Sequence, residues 1–439
     1  MKLEMIVTVV EEMKKANRFF IVGNRIYEMT NPGTFVIVPK SDEMLWVTKN
    51  VPEKYINDID ETDVSKIIKR LKREPSLQRD LEKELKRSER FLNLKNGVFD
   101  LDSKQLKSRG NLIFTYQLDF EYIPDSKIQD APALESYLQT SLDYPKCPEK
   151  AQTLFEIIGV CISSVTDHRH FYLLVGPTHC GKSVMLLQIA RLIIPESLVQ
   201  ALSLQRLANR FDPEHLMRAK LNISSEINAE KIKDTGILKQ IVSEEPIFVE
   251  QKSMQGYSGT PHCKMLFAAN QMPLFGNIDA SGNQALYDRM IILRFNHSIP
   301  PEKDDKELGE KLYACRDVWG SLAVDALVEL VHNGFRFTES EDAQELRRIA
   351  QQEDSSLRLF IEQNCEFVGE IHRCTLMEAY EAFCKENGFR PYKAREVLNY
   401  VTANYPDVEN CKFVINSSYR WGWRGLSLKE EKDNAEKQL

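Results

Sequence analysis

The stretch Val175–Leu186, VGPTHCGKSVML, decides how this 439-residue chain is read. Gly176-Pro177-Thr178-His179-Cys180-Gly181-Lys182-Ser183 fills every fixed position of the pattern G-x-x-x-x-G-K-[ST]. From average residue usage, a chance match in a chain this long arises at on the order of one percent. The flanks agree. The apolar run FYLLV predicts a buried strand entering the loop, and KSVMLLQIARLII predicts a helix leaving it and ending at Pro195. Glycines let the backbone turn its N–H groups toward phosphate oxygens, and the helix N-terminus adds a field that favours an anion. Gly176 to Ser183 thus form a cradle for ATP or GTP, with Lys182 reaching the β- and γ-phosphates and Ser183 ligating Mg²⁺. His179 and Cys180 occupy tolerant positions, the thiol filling space.

A triphosphate cradle needs a second acidic element to hold Mg²⁺ and polarise the attacking water. In AKLNISSEIN, Leu221 and Ile223 alternate on a short strand with Glu226 at its C-terminal end. A further strand, KMLFAAN, ends in Asn270, which would orient the lytic water. In LYDRMIILRF, Arg289 stands just before another apolar strand, where it would neutralise charge on the transferred phosphoryl group. Each of the three is unspecific alone, and the ordered series is not. His168 and His170 in TDHRHF have no Cys or carboxylate set beside them and read as surface residues rather than metal ligands.

The rest of the chain sets the frame. Composition is 42% apolar and 28% charged with a net charge of −7, so any nucleic-acid surface must be local. Nine cysteines without a C-x-x-C pair predict reduced thiols and no structural zinc. The N-terminal apolar run is too short and too acid-flanked for a signal peptide, and no run reaches the length of a membrane span. A soluble intracellular protein is expected, with its thiols reduced in a cytosol.

Phe19–Asn50 reads as short β-rich runs broken by Gly23, Asn24, Pro32 and Gly33. Two helices follow, separated by Pro75. Their Lys- and Arg-rich faces are either a solvated surface or an approach for DNA. FLNLKNGVFDLDSKQL predicts two strands around a turn at Asn96-Gly97. RFTESEDAQELRR predicts a charged helical connector. Thr375 and Glu378 stand at capping-box spacing ahead of a helix that Gly388 ends. A second helix from about Tyr392 and a hairpin turning near 416–418 complete a unit that suggests a winged helix. Lys393 and Arg395 on its second helix, with Arg420 and Arg424 on its wing, are candidate phosphate contacts. Trp421 and Trp423 read as core residues of the wing rather than base-stacking platforms. A winged helix that binds protein is the alternative here.

With these motifs in order, the chain resembles superfamily III helicases of the AAA+ class. The closer likeness is to the C-terminal helicase part of phage and plasmid primase–helicases and the related poxvirus helicase–primase. GPTHCGKS matches the family's Walker A element. LANRFDPEHLMRAKLNISSEI matches the run into Walker B, making Glu226 its acid. LKQIVSEEPIFVEQK resembles motif B-prime, KMLFAANQMP motif C with Asn270 as sensor, and LYDRMIILRF the arginine-finger region with Arg289. Two departures stand out: Ser225 precedes Glu226 where some members carry a second acid, and Glu244-Glu245 replaces the common Gly-Asp of B-prime.

The resemblance implies an α/β AAA+ P-loop core over 126–340, an N-terminal helical and β region over 1–125, a winged helix over 341–430 and a charged tail over 431–439. It implies ATP and Mg²⁺ as cofactors, and a ring, usually a hexamer, in which Arg289 acts on the neighbouring subunit's ATP. A hairpin spanning about Phe248–Phe267 would project into the channel, with Lys252 near its tip gripping single-stranded DNA; Lys239 is a weaker candidate, either for DNA or for a nucleotide in trans. Single-stranded and forked DNA are the expected partners, with a separate primase or initiator, because no primase carboxylate triad or zinc ribbon is recognisable. The competing readings are an ATP-dependent origin-binding initiator without processive unwinding, and a DNA-binding regulator switched by ATP.

Overall fold

The computed structural model describes residues 2–166, 169–225, 235–250, 256–273, 275, 280–300, 302, 304–415 and 417–429. His168, Glu226, Lys252 and the tail 431–439 therefore lie outside the described residues.

The chain opens with helix α1 (Lys2–Lys15) and a three-stranded meander of β1 (Phe19–Val22), β2 (Arg25–Asn31) and β3 (Thr34–Ile37). Glu43–Asn50, expected to continue the β-rich run, is instead helix α2. Met44, Leu45, Trp46 and Val47 are consecutive, so the segment carries no clean period. Trp46 and Val47 bury into the N-terminal core, where a helix lets Trp46 donate to Glu28 at 2.6 Å. The two predicted helices are α3 (Glu61–Leu71) and α4 (Leu81–Ser88), each capped by an aspartate, Asp60 and Asp80. Several of their cations pair with acids: Lys66 with Asp63, Lys72 with Glu43, Lys86 with Glu89 and Arg87 with Glu84. That pairing favours the solvated-surface reading over a DNA approach.

Next come β4 (Phe91–Leu94), β5 (Gly97–Asp100), β6 (Gln105–Lys107) and β7 (Gln117–Leu118). Leu94 pairs directly with Gly97, so the turn sits at Lys95-Asn96, one residue earlier than expected. Leu92, Leu94, Phe99, Leu118 and Phe120 pack in the central core, not with α1–α3. Helices α5 (Pro132–Leu142) and α6 (Pro148–Ile162) lead into β8 (Phe171–Val175), the cradle and α7 (Lys182–Arg191).

The central sheet then assembles. After the short strands β9 (Ile193–Ile194) and β10 (Val199–Gln200) come β11 (Leu221–Ser224), α8 (Gly236–Val242), the hairpin strands β12 (Ile247–Val249) and β13 (Tyr257–Gly259), β14 (Lys264–Ala269), α9 (Ala280–Tyr287) and β15 (Met290–Arg294). Among the described residues, five parallel strands run in the order β10-β11-β14-β8-β15. Alternate side chains face opposite ways: Tyr172, Leu174, Leu266, Ala268, Ile291 and Leu293 on one face, Phe171, Leu173, Val175, Met265, Phe267 and Ile292 on the other. Both faces are covered, which is why FYLLV is continuously apolar. One is covered by α5–α7 with α10 (Leu308–Ala314) and α11 (Arg316–Asn333), the other by α8, α9 and α12 (Glu341–Asp354). Buried Lys220 and Lys264 donate to Ser163 O and Val165 O just past the end of α6, and burial holds both ammonium groups below the usual lysine range.

The predicted connector is α12. Its Ala343 and Ala350 pack with the central sheet, and a separate C-terminal core begins at Leu357. That unit consists of α13 (Ser356–Asn364), β16 (Cys365–Glu366), β17 (Glu370–His372), α14 (Arg373–Asn387), α15 (Ala394–Asn404), β18 (Glu409–Ile415), β19 (Ser418–Arg424) and β20 (Ser427–Leu428), with sheet order β17-β19-β18. Helix α14 starts at Arg373, immediately after β17, so Thr375 lies inside it and is not its cap. Gly388 closes it at φ +70° as expected. Trp423 is buried, but Trp421 is 47% exposed, against the expectation that both belong to the core. Among the described residues no helix is long and apolar enough to cross a membrane.

Candidate nucleotide site and nucleic-acid surfaces

The cradle lies beyond the C-terminal edge of the sheet, where β8 ends between β14 and β15. Its two glycines are required by space. A Cβ at Gly176 would stand 2.3 Å from Phe295 O, and one at Gly181, where φ is +89°, would stand 2.8 Å from Ser141 Oγ and from the Tyr137 ring. The chain after β15 runs alongside: Ile299 N–H donates to His179 O at 2.6 Å, and the Ser298 hydroxyl to Thr178 O at 2.8 Å. Thr178, His179 and Ser183 are exposed, Pro177 half-buried, and Cys180 fully buried among the packing residues.

Lys182, only 6% exposed, directs its ammonium back into the loop. It donates to Gly176 O and Pro177 O at 2.6 Å each and to Cys180 Sγ at 3.2 Å, and reaches Asn270 Oδ1 at 3.4 Å. Two residues 88 positions apart in sequence therefore meet at one point. Asn270 is the first residue after β14 and is exposed toward the loop's mouth.

Arg289 is elsewhere. It precedes β15, and its carbonyl accepts from Phe171 N–H at the opposite, N-terminal edge of the sheet. Five strand residues separate it from the cradle, roughly 17 Å. Within one chain its guanidinium cannot touch a nucleotide at Lys182. Its surroundings are Arg347, Glu339 and His170. His170 is mostly buried, against its expected surface position, and packs edge-on to Phe337 at 5.2 Å. Burial, opposed by Glu339 and reinforced by Arg347 and Arg289, pushes its imidazole down to about 4.

Two arginines not singled out from sequence line the cavity of about 760 Å³ at the cradle's mouth. They join Gly176, Pro177, Asn270 and Glu353 there. Arg294 ends β15 beside Val175 and donates to Asp342 O. Arg390, from the C-terminal unit, pairs with Glu353 at 2.5 Å and donates to Met272 O. Arg294 was findable as a polar residue closing an apolar strand, the same signal that found Asn270. Arg390 carries no local signal.

The stretch resembling motif B-prime holds α8 and its exit. Glu244 adopts φ +53°, the left-handed conformation that glycine favours, at the position where the resembled family has glycine. It lies 3.6 Å from buried Lys264 and 3.5 Å from His262, and Glu245 is exposed. Lys239 is half-buried on α8. The expected hairpin exists as β12 and β13, paired from Ile247↔Gly259 to Val249↔Tyr257. It ends earlier than Phe267, because Lys264 already belongs to β14. Phe248 is 64% exposed and Tyr257 38%, two aromatic residues on the hairpin strands that the sequence reading did not single out.

In the C-terminal unit Lys393 and Arg395 stand at the start of α15, and Arg420 on β19, all exposed. Arg424 is engaged by Glu370 and Glu409. Among the described residues no group of three or more His, Cys, Asp or Glu side chains is gathered to hold a metal ion, and all nine cysteines are free.

Comparison with known proteins gives two partial matches to families. Residues 9–154 match the family described as D5 N terminal like, and residues 174–289 match a family of unknown function (DUF5906). No curated protein matches the chain. Among solved structures, an A form apo structure of the NrS-1 C terminal region is 10% identical, covering 95% of this chain and 98% of that one, with a TM-score of 0.49. A second apo structure of that region is 11% identical over 95% and 98%, with a TM-score of 0.47.

Proposed function

We propose that the chain is an ATP-dependent DNA helicase of phage or mobile-element replication, working as a ring on single-stranded DNA. One observation carries the reading: Lys182 and Asn270 converge at the mouth of a loop built to wrap phosphate, while Arg289 faces away at the far edge of the same sheet. A nucleotide switch has no use for an arginine placed where only another subunit's nucleotide meets it. A ring does. The sheet order, with β14 inserted between the cradle strand and β11, supports an AAA+ P-loop core. The order helix, strand, helix, helix, hairpin supports a winged helix at the C-terminus. The match of residues 9–154 to the D5-like family supports a phage-type primase–helicase context.

The residues fit Mg-ATP. Gly176 and Gly181 leave the space a phosphate needs, the N-terminus of α7 supplies N–H donors, and Lys182 supplies a buried cation. Ser183 would hold Mg²⁺ together with Glu226, phosphate oxygens filling the rest of its shell. When bound, the ion neutralises charge on the phosphates and fixes their position. Asn270 orients the attacking water, Glu226 takes its proton, and the neighbour's Arg289 stabilises charge on the transferred group. Lys252 on the β12–β13 hairpin contacts backbone phosphate in the channel, and Lys393, Arg395 and Arg420 hold DNA outside it.

The test is strand displacement on a forked duplex with and without ATP. Release of the labelled strand only with ATP supports the reading. ATP hydrolysis without strand release would identify an initiator that remodels DNA instead, and no hydrolysis would remove the enzyme altogether.

A further inference from the structure

The C-terminal hairpin carries a face that its own fold does not use. On β18 and β19 the register sets Lys412 opposite Trp421 and Val414 opposite Tyr419, so these four share one side. Val414 is 59% exposed, Tyr419 66% and Trp421 47%, whereas Tyr380 and Trp423 of the same unit are buried in its core. Large aromatic surface left in water at one place, rimmed by charge, marks a contact site.

The charge around it has one sign. The Arg373 guanidinium lies 5.1 Å from the Trp421 ring centre and the Lys412 ammonium 5.3 Å from it. Arg420, next in sequence and paired with Phe413, stands on the opposite side of the strand, where it touches Cys374 Sγ at 3.5 Å. Among the described residues, neither Arg373 nor Lys412 has a carboxylate within ion-pair distance. Glu370 on β17 and Glu409 on β18 are both engaged by Arg424. In a chain of net charge −7, two cations without an ion-pair partner beside two exposed rings form a local exception.

We infer that this face binds unpaired nucleotides, Trp421 and Tyr419 stacking on bases while Arg373 and Lys412 neutralise the phosphates between them. A ring can stack only on a base whose face is open, so the site selects single-stranded nucleic acid over duplex. An acidic protein segment would satisfy the cations but gives the rings no planar partner. The inference rests on the reading that nucleic acid is this protein's substrate, and adds a second single-strand contact, in a different sheet from the β12–β13 hairpin.

Tryptophan fluorescence reads the site directly. Of the four tryptophans, Trp46, Trp319 and Trp423 are at most 7% exposed, leaving Trp421 as the one open to a stacking base. Titrating the full chain with an oligo-dT strand is expected to quench this signal. Trp421→Ala is expected to weaken oligo-dT binding roughly tenfold, with duplex binding, melting temperature and DNA-free ATP hydrolysis unchanged, and Trp421→Phe to restore most of the affinity. Oligo-dT that binds with no quenching and with equal affinity for Trp421→Ala would overturn the inference and leave the helicase reading standing. Quenching by a polyglutamate peptide but not by oligo-dT would overturn it in favour of a protein partner. Failure of the wild-type chain to bind oligo-dT at all would remove the functional reading as well.

Discussion

Lys182 is nearly enclosed, yet its ammonium is shared among two carbonyls of its own loop and the Asn270 side chain. A phosphate oxygen arriving there exchanges one set of oxygen acceptors for a charged one, so the lysine need not be rebuilt to bind. Glu244 shows the reverse economy. A glutamate in the left-handed region costs roughly 1 kcal/mol or more, and it is kept where it faces the buried ammonium of Lys264. Sequence comparison locates the anomaly at Glu244, but only the fold gives Lys264 as its counterpart. His170 carries a pH dependence. Its imidazole titrates near 4 in the fold and near 6.5 when unfolded, so the unfolded chain binds the extra proton. The stability this neutral histidine contributes is complete above pH 6.5 and is lost as pH falls toward 4, on the order of 3 kcal/mol. His170→Phe is expected to flatten that part of a denaturation profile between pH 4 and 7; parallel profiles for the two proteins would refute the assignment. The sequence offered no sign of this burial, because the groups around His170 come from Phe337, Glu339 and Arg347, far along the chain.

At the scale of elements, strands buried on both faces were the most readable parts. FYLLV, KMLFAA and MIILR are short apolar runs ended by Gly, Asn or Arg, and each is a strand of the central sheet. Helix α2 was not readable, because one buried tryptophan and its neighbour decide the segment and no period announces them. The β12–β13 hairpin lay in between: its existence followed from the resemblance, its extent did not. Gly256 has its reason in the fold, since a Cβ there would meet the Phe248 ring at 2.4 Å. That contact holds an aromatic side chain outward on the element proposed to touch DNA. Phe248→Ala is expected to lower strand displacement by about tenfold or more, while ATP hydrolysis without DNA stays within about twofold and the melting temperature is unchanged. Equal loss of both activities would assign Phe248 to the ATPase core instead.

Among the described residues, buried apolar clusters mark three regions of the molecule: one over α1–α3 and the first meander, a pair on the two faces of the central sheet, and one from Leu357 onward. The candidate site crosses these divisions. Arg390 reaches from the third region to Glu353 and Met272 beside the cradle, a link between the candidate nucleotide site and the C-terminal unit that no local motif announces. The cradle, Asn270 and Arg289 were legible because each closes or opens an apolar strand. That Arg289 sits at the opposite edge from Lys182 was not, since it depends on parallel register. This separation is what makes the account one of a ring. The measurement that tests it is ATP hydrolysis by a mixture of two inactive variants, Lys182→Ala and Arg289→Ala. In a mixed assembly, the intact cradle of an Arg289→Ala subunit meets the intact arginine of a Lys182→Ala neighbour. The account predicts that each variant alone is inactive and that mixing restores a fraction of the wild-type rate. Full activity of Arg289→Ala alone, or no recovery in mixtures shown by sedimentation to contain both variants in one assembly, would contradict it.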